Sequence, residues 1–318
     1  MTLTELKYIV AVARERHFGR AAEACFVSQP TLSVAIRKLE DELGVTLFER
    51  GGSEVGVTPI GQRIVIQAQK VLEESASIKE IARQGHDPLA GALRVGVIHT
   101  VGPYLLPRLV PAQIELTPQM PLVLQENFTV RLLELLRQGE IDCAIMALPL
   151  PESGLIVQPL YDEPFIVAVP QTHEMAKLKA IDAHDLKKQN MLLLGSGHCF
   201  RDQVLEVCPE LSRFSATSDG IQRTFEGSSL ETIRHMVAAG IGVTVLPMSA
   251  VPDASAESAA AKSLLRYVPF AGTVPERRIV LAWRRSFPRL AAVEALAQAV
   301  RACGLPNVKM LDEEPVPA

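Results

Sequence analysis

The chain has 318 residues, of which 48% are hydrophobic and 21% are charged, and its formal net charge is −4. This composition is typical of a globular protein with two or three domains, and five cysteines are too few, and odd in number, for a disulfide scaffold. The negative net charge excludes a strongly basic nucleic-acid binder, so any DNA contact must come from locally clustered positive charge.

The N-terminal segment MTLTELKYIVAVARERHFGR is punctuated by charges. It lacks the basic, apolar and small-residue regions of a secretory signal peptide. No uninterrupted apolar run in the chain reaches the roughly 18 residues of a transmembrane helix. We therefore expect a cytoplasmic protein with no membrane association, whose thiols are reduced by default.

Residues 1–59 predict a compact, mainly helical domain. Two short helical patterns, at 20–25 and 29–43, follow an initial amphipathic helix, and this succession predicts a helix-turn-helix. Ser28 is a suitable N-cap for the second of them. Two extended runs flank the turn signal at 51–53 and predict a β-wing.

One long helix is predicted from Thr58 to about residue 83, and it makes up most of a linker region assigned to 60–87. Apolar and small residues recur along it at alternating spacings of four and three, which is typical of a coiled-coil seam. The seam consists of Ile64, Ala68, Val71, Ser75, Ile78 and Ala82. The alternative is a surface helix packed on its own domain; the length of the seam and its polar flanks favour dimerisation through this helix.

Beyond a linker at 85–91, strand-like and helix-like segments alternate, which predicts an α/β fold with largely parallel sheets. The predicted strands are Leu93–Ile98, Leu122–Glu126, Cys143–Ala147, Phe165–Val169, Met191–Leu194, Val243–Leu246 and Ile279–Trp283. The predicted helices are Tyr104–Leu116, Thr129–Gln138, Leu230–Ala239 and Arg289–Cys303. The length near 230 residues suits two small lobes, and the EEPVPA end predicts a flexible tail at 306–318.

Residues 18–50, FGRAAEACFVSQPTLSVAIRKLEDELGVTLFER, resemble the winged helix-turn-helix of LysR-type transcriptional regulators. The Ala-Ala pair, Ser-Gln-Pro-Thr-Leu-Ser, Leu-Glu-x-x-Leu-Gly and Leu-Phe-x-Arg stand at the family's spacing. The resemblance implies a DNA-binding domain, a dimerising linker helix and a two-lobed effector domain like a periplasmic binding protein. It places the effector domain at 88–305, with lobe I at about 88–162 and 269–305 and lobe II at about 163–268.

Further segments resemble the peroxide-sensing members of that family. They are HTVGPYLLP at 99–107, GHCFRDQ with a second cysteine at 208, SLETIRHMVAAGIGVTVLP at 229–247 and PERRIVLAWR at 275–284. This resemblance implies a homotetramer (a dimer of dimers) that binds double-stranded promoter DNA and acts on RNA polymerase. Hydrogen peroxide would be the signal, glutaredoxin or thioredoxin the reductant, and no cofactor is implied.

Cys199 and Cys208 are the expected peroxidatic and resolving residues. A thiolate attacks peroxide, and His198, Arg201 and the start of a predicted helix would favour the anion at Cys199. If 199–208 were helical, the two Cα atoms would lie roughly 13–14 Å apart, whereas a disulfide needs about 7 Å or less. The segment would then have to refold for the bond to form.

Two alternatives remain for these residues: both cysteines only pack, or His198, Cys199 and Cys208 bind a metal. Zinc sites usually pair ligands two to four residues apart, and the sequence has no such second pair, so no metal is expected. By resemblance, Thr100, Thr129 and Arg278 would hold and polarise the peroxide, although both threonines also suit helix or strand caps. Cys25, Cys143 and Cys303 are interpreted as buried or incidental.

The start of the second short helix would enter the major groove, where glutamine can contact adenine and a threonine methyl can contact thymine. The residues expected to contact bases or the DNA backbone are Ser28, Gln29, Pro30, Thr31, Ser33, Arg37, Lys38, Arg50 and Thr58. Residues 1–63 carry eight Lys/Arg and eight Asp/Glu, which predicts modest affinity per domain and a need for several domains on one site.

Two functions other than a redox-switched regulator fit parts of the sequence. A thiol peroxidase could use the same cysteine pair, but it has no need of a helix-turn-helix with a wing, so we do not expect an enzyme. A LysR-type regulator gated by a small organic effector in the cleft between the lobes is the second alternative, and such a protein has no need of the cysteine pair.

Overall fold

The computed structural model describes residues 1–49, 55–84, 89–150, 154–208, 229–252 and 264–317, with only the backbone described for 76, 77 and 79–84. The chain divides into two compact units, 1–87 and 88–318. No helix among the described residues is long and apolar enough to cross a membrane.

The first unit is a helical domain with a small β-ribbon. Its elements are α1 (Leu3–Glu15), α2 (Phe18–Ala24), α3 (Gln29–Leu43), β1 (Phe48–Glu49), β2 (Gly56–Val57) and α4 (Pro59–Gln84). The Ser28 side chain caps α3, and Gly44 ends that helix in the left-handed conformation that glycine adopts without strain. β1 and β2 pair antiparallel as the base of the predicted wing.

Helix α4 packs on its own unit along part of the predicted dimerisation seam. Ala68 is buried in the core of the first unit, and Ile64 packs against that core. These two residues pack within the domain itself, because α4 lies against α1. Dimerisation through this helix stays a prediction. Val71 and Ile78 are exposed and Ser75 is half-buried, while the side chain of Ala82 lies outside the described part of the helix.

The second unit contains nine strands and five longer helices among its described residues. The strands are β3 (Leu93–Ile98), β4 (Leu122–Asn127), β5 (Cys143–Ala147), β6 (Leu155–Pro170), β7 (Thr244–Pro247), β8 (Leu265–Val268), β9 (Glu276–Arg284), β10 (Lys309–Met310) and β11 (Val316–Pro317). The helices are α5 (Gly102–Leu116), α6 (Thr129–Arg137), α7 (Cys199–Val207), α8 (Leu230–Ala238) and α9 (Leu290–Ala302).

The sheet is mixed, so the prediction of largely parallel sheets is wrong. β3 pairs parallel with β4 and β5, but β9 runs antiparallel to both β5 and β6, and β7 and β8 run antiparallel to β6. The reason is that β9 returns between β5 and β6 in the opposite direction. The segment Met191–Leu194, predicted as a strand, forms only bridges, one from Met191 to Val243 and one at Leu194.

Two hydrophobic cores lie along the 16-residue strand β6. The first core contains residues of β3, α5, α6, β5 and α9 together with Tyr161 of β6, and the second contains residues of α7, α8, β7 and β8 together with Phe165 of β6. Strands β6 and β9 pair over Leu155–Pro164 and thus run beside each other where one core gives way to the other.

The C-terminal segment differs from the predicted flexible tail. β10 pairs with Tyr161 and Asp162 of β6, and β11 pairs with Ile156 and Val157 of the same strand. The first half of β6 has β9 on one side only, so the tail satisfies backbone groups that would otherwise form a free strand edge.

Candidate functional site

Helix α7 carries a cysteine at each end. Cys199 is its first residue and is half-buried, whereas Cys208 is its C-cap and is buried. A helix N-terminus favours negative charge, so the position of Cys199 suits a thiolate. Because residues 199–207 are helical, the two Cα atoms are separated by about 13–14 Å of helix.

The two thiols also belong to different cores. Cys199 packs against the first core, and Cys208 is a member of the second, with its Sγ 3.7 Å from the carbonyl oxygen of Ala183. A disulfide requires the Cα atoms within about 7 Å, so the bond cannot form while α7 is intact.

Three aromatic rings hold three chain segments together beside Cys199. The ring of Phe128 lies 4.7 Å from that of His198 and 5.2 Å from that of His99, between ring centroids, and the two histidines are 5.9 Å apart. His99 and Phe128 follow the ends of the parallel strands β3 and β4, where ligand sites of α/β proteins usually form.

Each of these rings is followed directly by one of the polar residues predicted to act on peroxide. Thr100 follows His99, Thr129 follows Phe128, and Cys199 follows His198. Thr100 and Thr129 are both buried, at 2% and 8% exposure. The Oγ1 atom of Thr129 is buried without a hydrogen-bond partner among the described residues, so this donor is available to a small ligand.

The arginine at this site is Arg277, so the prediction of Arg278 is wrong. Nη1 of Arg277 donates to Oγ1 of Thr100 at 2.8 Å, and Nε donates to Oε2 of Glu163 at 2.7 Å. Arg278 lies on the opposite face of β9, where its guanidinium binds Asp162 at 2.7 Å and Glu313 at 3.6 Å. Neighbouring side chains of a strand point to opposite faces, which separates the two arginines.

Arg277 and Glu163 form a fully buried ion pair at the junction of the two cores, with both side chains at 0% exposure. A second hydrogen bond joins Nη2 of Arg277 to the carbonyl oxygen of Thr100 at 3.0 Å. Cζ of Arg277 lies 4.8 Å from the centroid of the Phe200 ring, which is a cation–π contact. The pair thus links β6 and β9 to Thr100 and to the first turn of α7.

His198 does not support a cation beside Cys199. Burial, and secondarily the charge of His99, lower the pKa of His198 below 6.5, so the neutral imidazole is the favoured form near pH 7. His198 can therefore assist a reaction through a hydrogen bond and not through positive charge. Arg201, the other predicted cation, donates from Nη1 to the carbonyl oxygen of Leu194 at 3.0 Å.

This lowered pKa predicts how stability depends on pH. The unfolded chain binds a proton at His198 more readily than the folded chain, so this contribution to stability is complete above pH 6.5 and is lost as pH falls through the lower folded pKa. We expect His198→Gln to flatten the loss of stability between about pH 7.5 and 5, as measured by urea unfolding across that range.

The exposed His235 provides the matched control for that measurement. His235→Gln should leave the pH dependence of the wild-type chain unchanged. An unchanged pH dependence in His198→Gln would contradict the assignment of a depressed pKa to His198.

The other three cysteines are poorly suited to react. Burial raises the pKa of the thiols of Cys25, Cys143 and Cys303, which leaves them protonated near neutral pH. Within the described ranges, no group of three or more His, Cys, Asp or Glu side chains is arranged to hold a metal ion.

The first unit presents the start of α3 on its surface. Gln29, Pro30 and Thr31 are exposed there, and the hydroxyl of Thr31 is hydrogen-bonded to that of Ser28 at 2.7 Å. The remaining predicted contacts on this helix are Ser33, which is half-buried, and Arg37 and Lys38, which are exposed. Polar and basic side chains are thus exposed both at the start of α3 and further along it.

Thr58 lies outside α3, directly before α4. Its hydroxyl donates to the carbonyl oxygen of Thr46 at 2.8 Å and accepts the N–H of Gly61 at 2.9 Å, so it caps α4. Its contact with DNA stays a prediction. Arg50 lies outside the described residues. Two apolar side chains near the predicted contacts are also exposed: Val34 of α3, at 68%, and Phe26 in the turn between α2 and α3, at 96%.

Comparison with known proteins identifies the class of protein. Residues 3–62 match the family described as bacterial regulatory helix-turn-helix protein, lysR family, and residues 86–303 match the LysR substrate binding domain. The chain therefore belongs to the LysR family of bacterial regulators.

Within that family, the chain is similar to OxyR proteins. It is 42% identical over 302 residues to the DNA-binding transcriptional dual regulator OxyR of Escherichia coli K12, covering 95% of each chain. It is 40% identical to the hydrogen peroxide-inducible genes activator of Haemophilus influenzae, covering 94% of this chain and 96% of that one.

Solved structures of OxyR proteins resemble the fold over the full length. A full-length OxyR from Pseudomonas aeruginosa, with a cysteine replaced by aspartate, is 50% identical, with a TM-score of 0.77 and 99% of each chain covered. A cysteine-to-serine mutant of OxyR from Corynebacterium glutamicum with hydrogen peroxide bound is 34% identical, with a TM-score of 0.62, and covers 95% of this chain and 92% of that one.

Proposed function

We propose that this chain is a hydrogen peroxide-responsive transcription regulator, switched by a reversible disulfide between Cys199 and Cys208. The observation that carries the proposal is the placement of these thiols at opposite ends of one helix and in two different cores. Bond formation then requires a change of conformation. The similarity to peroxide-inducible activators supports the choice of oxidant.

The proposed chemistry has two steps. The Cys199 thiolate attacks one peroxide oxygen, the O–O bond breaks, Cys199 becomes a sulfenic acid, and the leaving oxygen takes up a proton and departs as water. The Cys208 sulfur then attacks the Cys199 sulfur, the S–O bond breaks, a second water leaves, and the disulfide forms. Two thiols are thereby oxidised while one peroxide is reduced to two waters.

The residues around Cys199 have separate roles in this proposal. The unpartnered hydroxyl of Thr129 holds the peroxide, and the Thr100 hydroxyl is oriented by its hydrogen bond from Arg277. The neutral imidazole of His198 provides a hydrogen bond beside the thiol. Arg277 contributes positive charge where the leaving oxygen becomes an anion, although Glu163 partly offsets it.

Refolding of α7 would change the packing between the two cores and so the geometry of the assembled regulator. We propose a homotetramer in the cytoplasm, with several α3 helices on one promoter and contact with RNA polymerase in the oxidised form. Glutaredoxin or thioredoxin would return the disulfide to two thiols. A catalytic peroxidase role is not proposed, since the family is one of regulators.

The test is DNase footprinting of the full chain on the region upstream of its own gene, with dithiothreitol or after about one equivalent of hydrogen peroxide. We expect a protected region in both states, with its boundaries altered by peroxide. Gln29→Ala should weaken the sequence-specific footprint by about 1–3 kcal/mol per half-site. A footprint identical in both redox states would overturn the switch. If the chain protects no DNA in either state, the fragment is not its target, and the assay is repeated with another promoter fragment.

A further inference from the structure

Phe200, the residue after Cys199, is tightly packed, although the proposed chemistry gives its side chain no role. Phe200 is only 2% exposed, although it lies in the first turn of the helix that must refold. Its ring packs edge-on against Phe165 of β6, at 5.0 Å between centroids, and faces the guanidinium of Arg277 of β9 at 4.8 Å. Both partners belong to the strands that run between the two cores.

We infer that Phe200 is a positioning residue that stabilises the dithiol conformation of α7 and thereby sets the redox potential of the Cys199–Cys208 pair. This inference rests on the proposed function and deepens it. The Phe165, Phe200 and Arg277 side chains are together called the aromatic clamp.

The geometry couples the clamp to the thiols. Consecutive Cα atoms are 3.8 Å apart, so a movement of Cys199 toward Cys208 by the roughly 6 Å that a disulfide needs carries Phe200 with it. The Phe200 ring then leaves its place between Phe165 and Arg277. The free energy of this packing is consequently present in the dithiol state and absent from the disulfide state.

Arg277, the member of the clamp on β9, is held by residues outside α7. Arg277 is held by Glu163 and by both oxygens of Thr100, at distances between 2.6 and 3.0 Å. A cation–π contact is strongest where the cation is desolvated, and Arg277 has no exposed side-chain surface. Departure of the ring therefore removes a favourable contact that the remaining pair does not replace.

The clamp predicts a shift in potential when the ring is removed. Phe200→Leu keeps an apolar side chain but removes the aromatic face. We expect the disulfide to become about tenfold more favoured, which for a two-electron couple is a midpoint potential about 30 mV more negative. Phe165→Leu, which changes the clamp from strand β6, should shift the potential in the same direction by a smaller amount.

The experiment equilibrates the full chain with mixtures of reduced and oxidised glutathione and counts alkylated thiols by mass spectrometry. When the Cys199–Cys208 disulfide forms, the two thiols give two electrons and two protons to one glutathione disulfide, which becomes two glutathione molecules. Phe270→Leu is the matched control, because Phe270 is buried in the same core but lies in a bridge to Ile181 and not on α7.

A more negative potential in Phe200→Leu, with the wild-type potential in Phe270→Leu, supports the clamp. Equal potentials in Phe200→Leu and wild type overturn it, as does an equal shift in both variants, and Phe165→Leu decides the matter if Phe200→Leu does not fold. A wild-type chain that forms the disulfide with glutathione but not with peroxide overturns the proposed function alone. A wild-type chain that forms no Cys199–Cys208 disulfide at any potential overturns both.

Discussion

Cys199→Ser is expected to abolish the response to peroxide while DNA binding in the reduced state remains. A serine hydroxyl does not ionise near neutral pH and cannot form a sulfenic acid, so no disulfide with Cys208 can follow. The peroxide-dependent change in the footprint should fall to background. The same footprinting assay, with and without hydrogen peroxide, measures both properties of the variant.

The control for this variant is Cys303→Ser. Burial raises the pKa of the Cys303 thiol, and its Sγ lies 3.1 Å from the carbonyl oxygen of Val300, so its replacement should leave the peroxide response intact. A Cys199→Ser chain that still changes its footprint with peroxide would contradict the assignment of Cys199 as the reacting thiol.

Arg277→Met is expected to lower the free energy of unfolding by about 3–5 kcal/mol. The substitution leaves the Glu163 carboxylate fully buried without a cation, and it removes both hydrogen bonds to Thr100. Urea unfolding of the second unit within the full chain measures the loss. Addition of Glu163→Gln to Arg277→Met should recover part of it, because the unpaired buried charge is then gone.

The exposed pair of Arg131 and Glu134 supplies the comparison. These side chains are 45% and 40% exposed and lie on one face of α6, so Arg131→Met should cost no more than about 1 kcal/mol. A loss below about 1 kcal/mol in Arg277→Met would contradict the description of Arg277 and Glu163 as a tightly coupled buried pair.

The sequence was sufficient for the features that depend on local pattern. The N-cap at Ser28 and a helix in the segment next to Cys199 both follow from residue types at fixed spacing, and the structure has them. The separation of the two thiols follows from the same helical rise. The family match through residues 3–62 agrees with the motifs around α3.

Features that depend on tertiary packing could not be predicted from local sequence patterns. Arg277 and Arg278 are adjacent, and only the packing of β9 between two other strands determines which one faces the buried Glu163. Ile64 and Ala68 fit a coiled-coil seam and a domain core equally well, and only the position of α1 shows that they pack within the domain. The contact of His198 with Phe128 joins residues seventy positions apart, so no local pattern indicates the burial that lowers its pKa.

Thiol mapping by mass spectrometry shows directly whether peroxide joins Cys199 to Cys208. The full chain would be alkylated and digested before and after addition of about one equivalent of hydrogen peroxide. We expect one Cys199–Cys208 disulfide, with Cys25, Cys143 and Cys303 alkylated in both samples. If Cys199 and Cys208 remain fully alkylated after peroxide, the redox switch is contradicted.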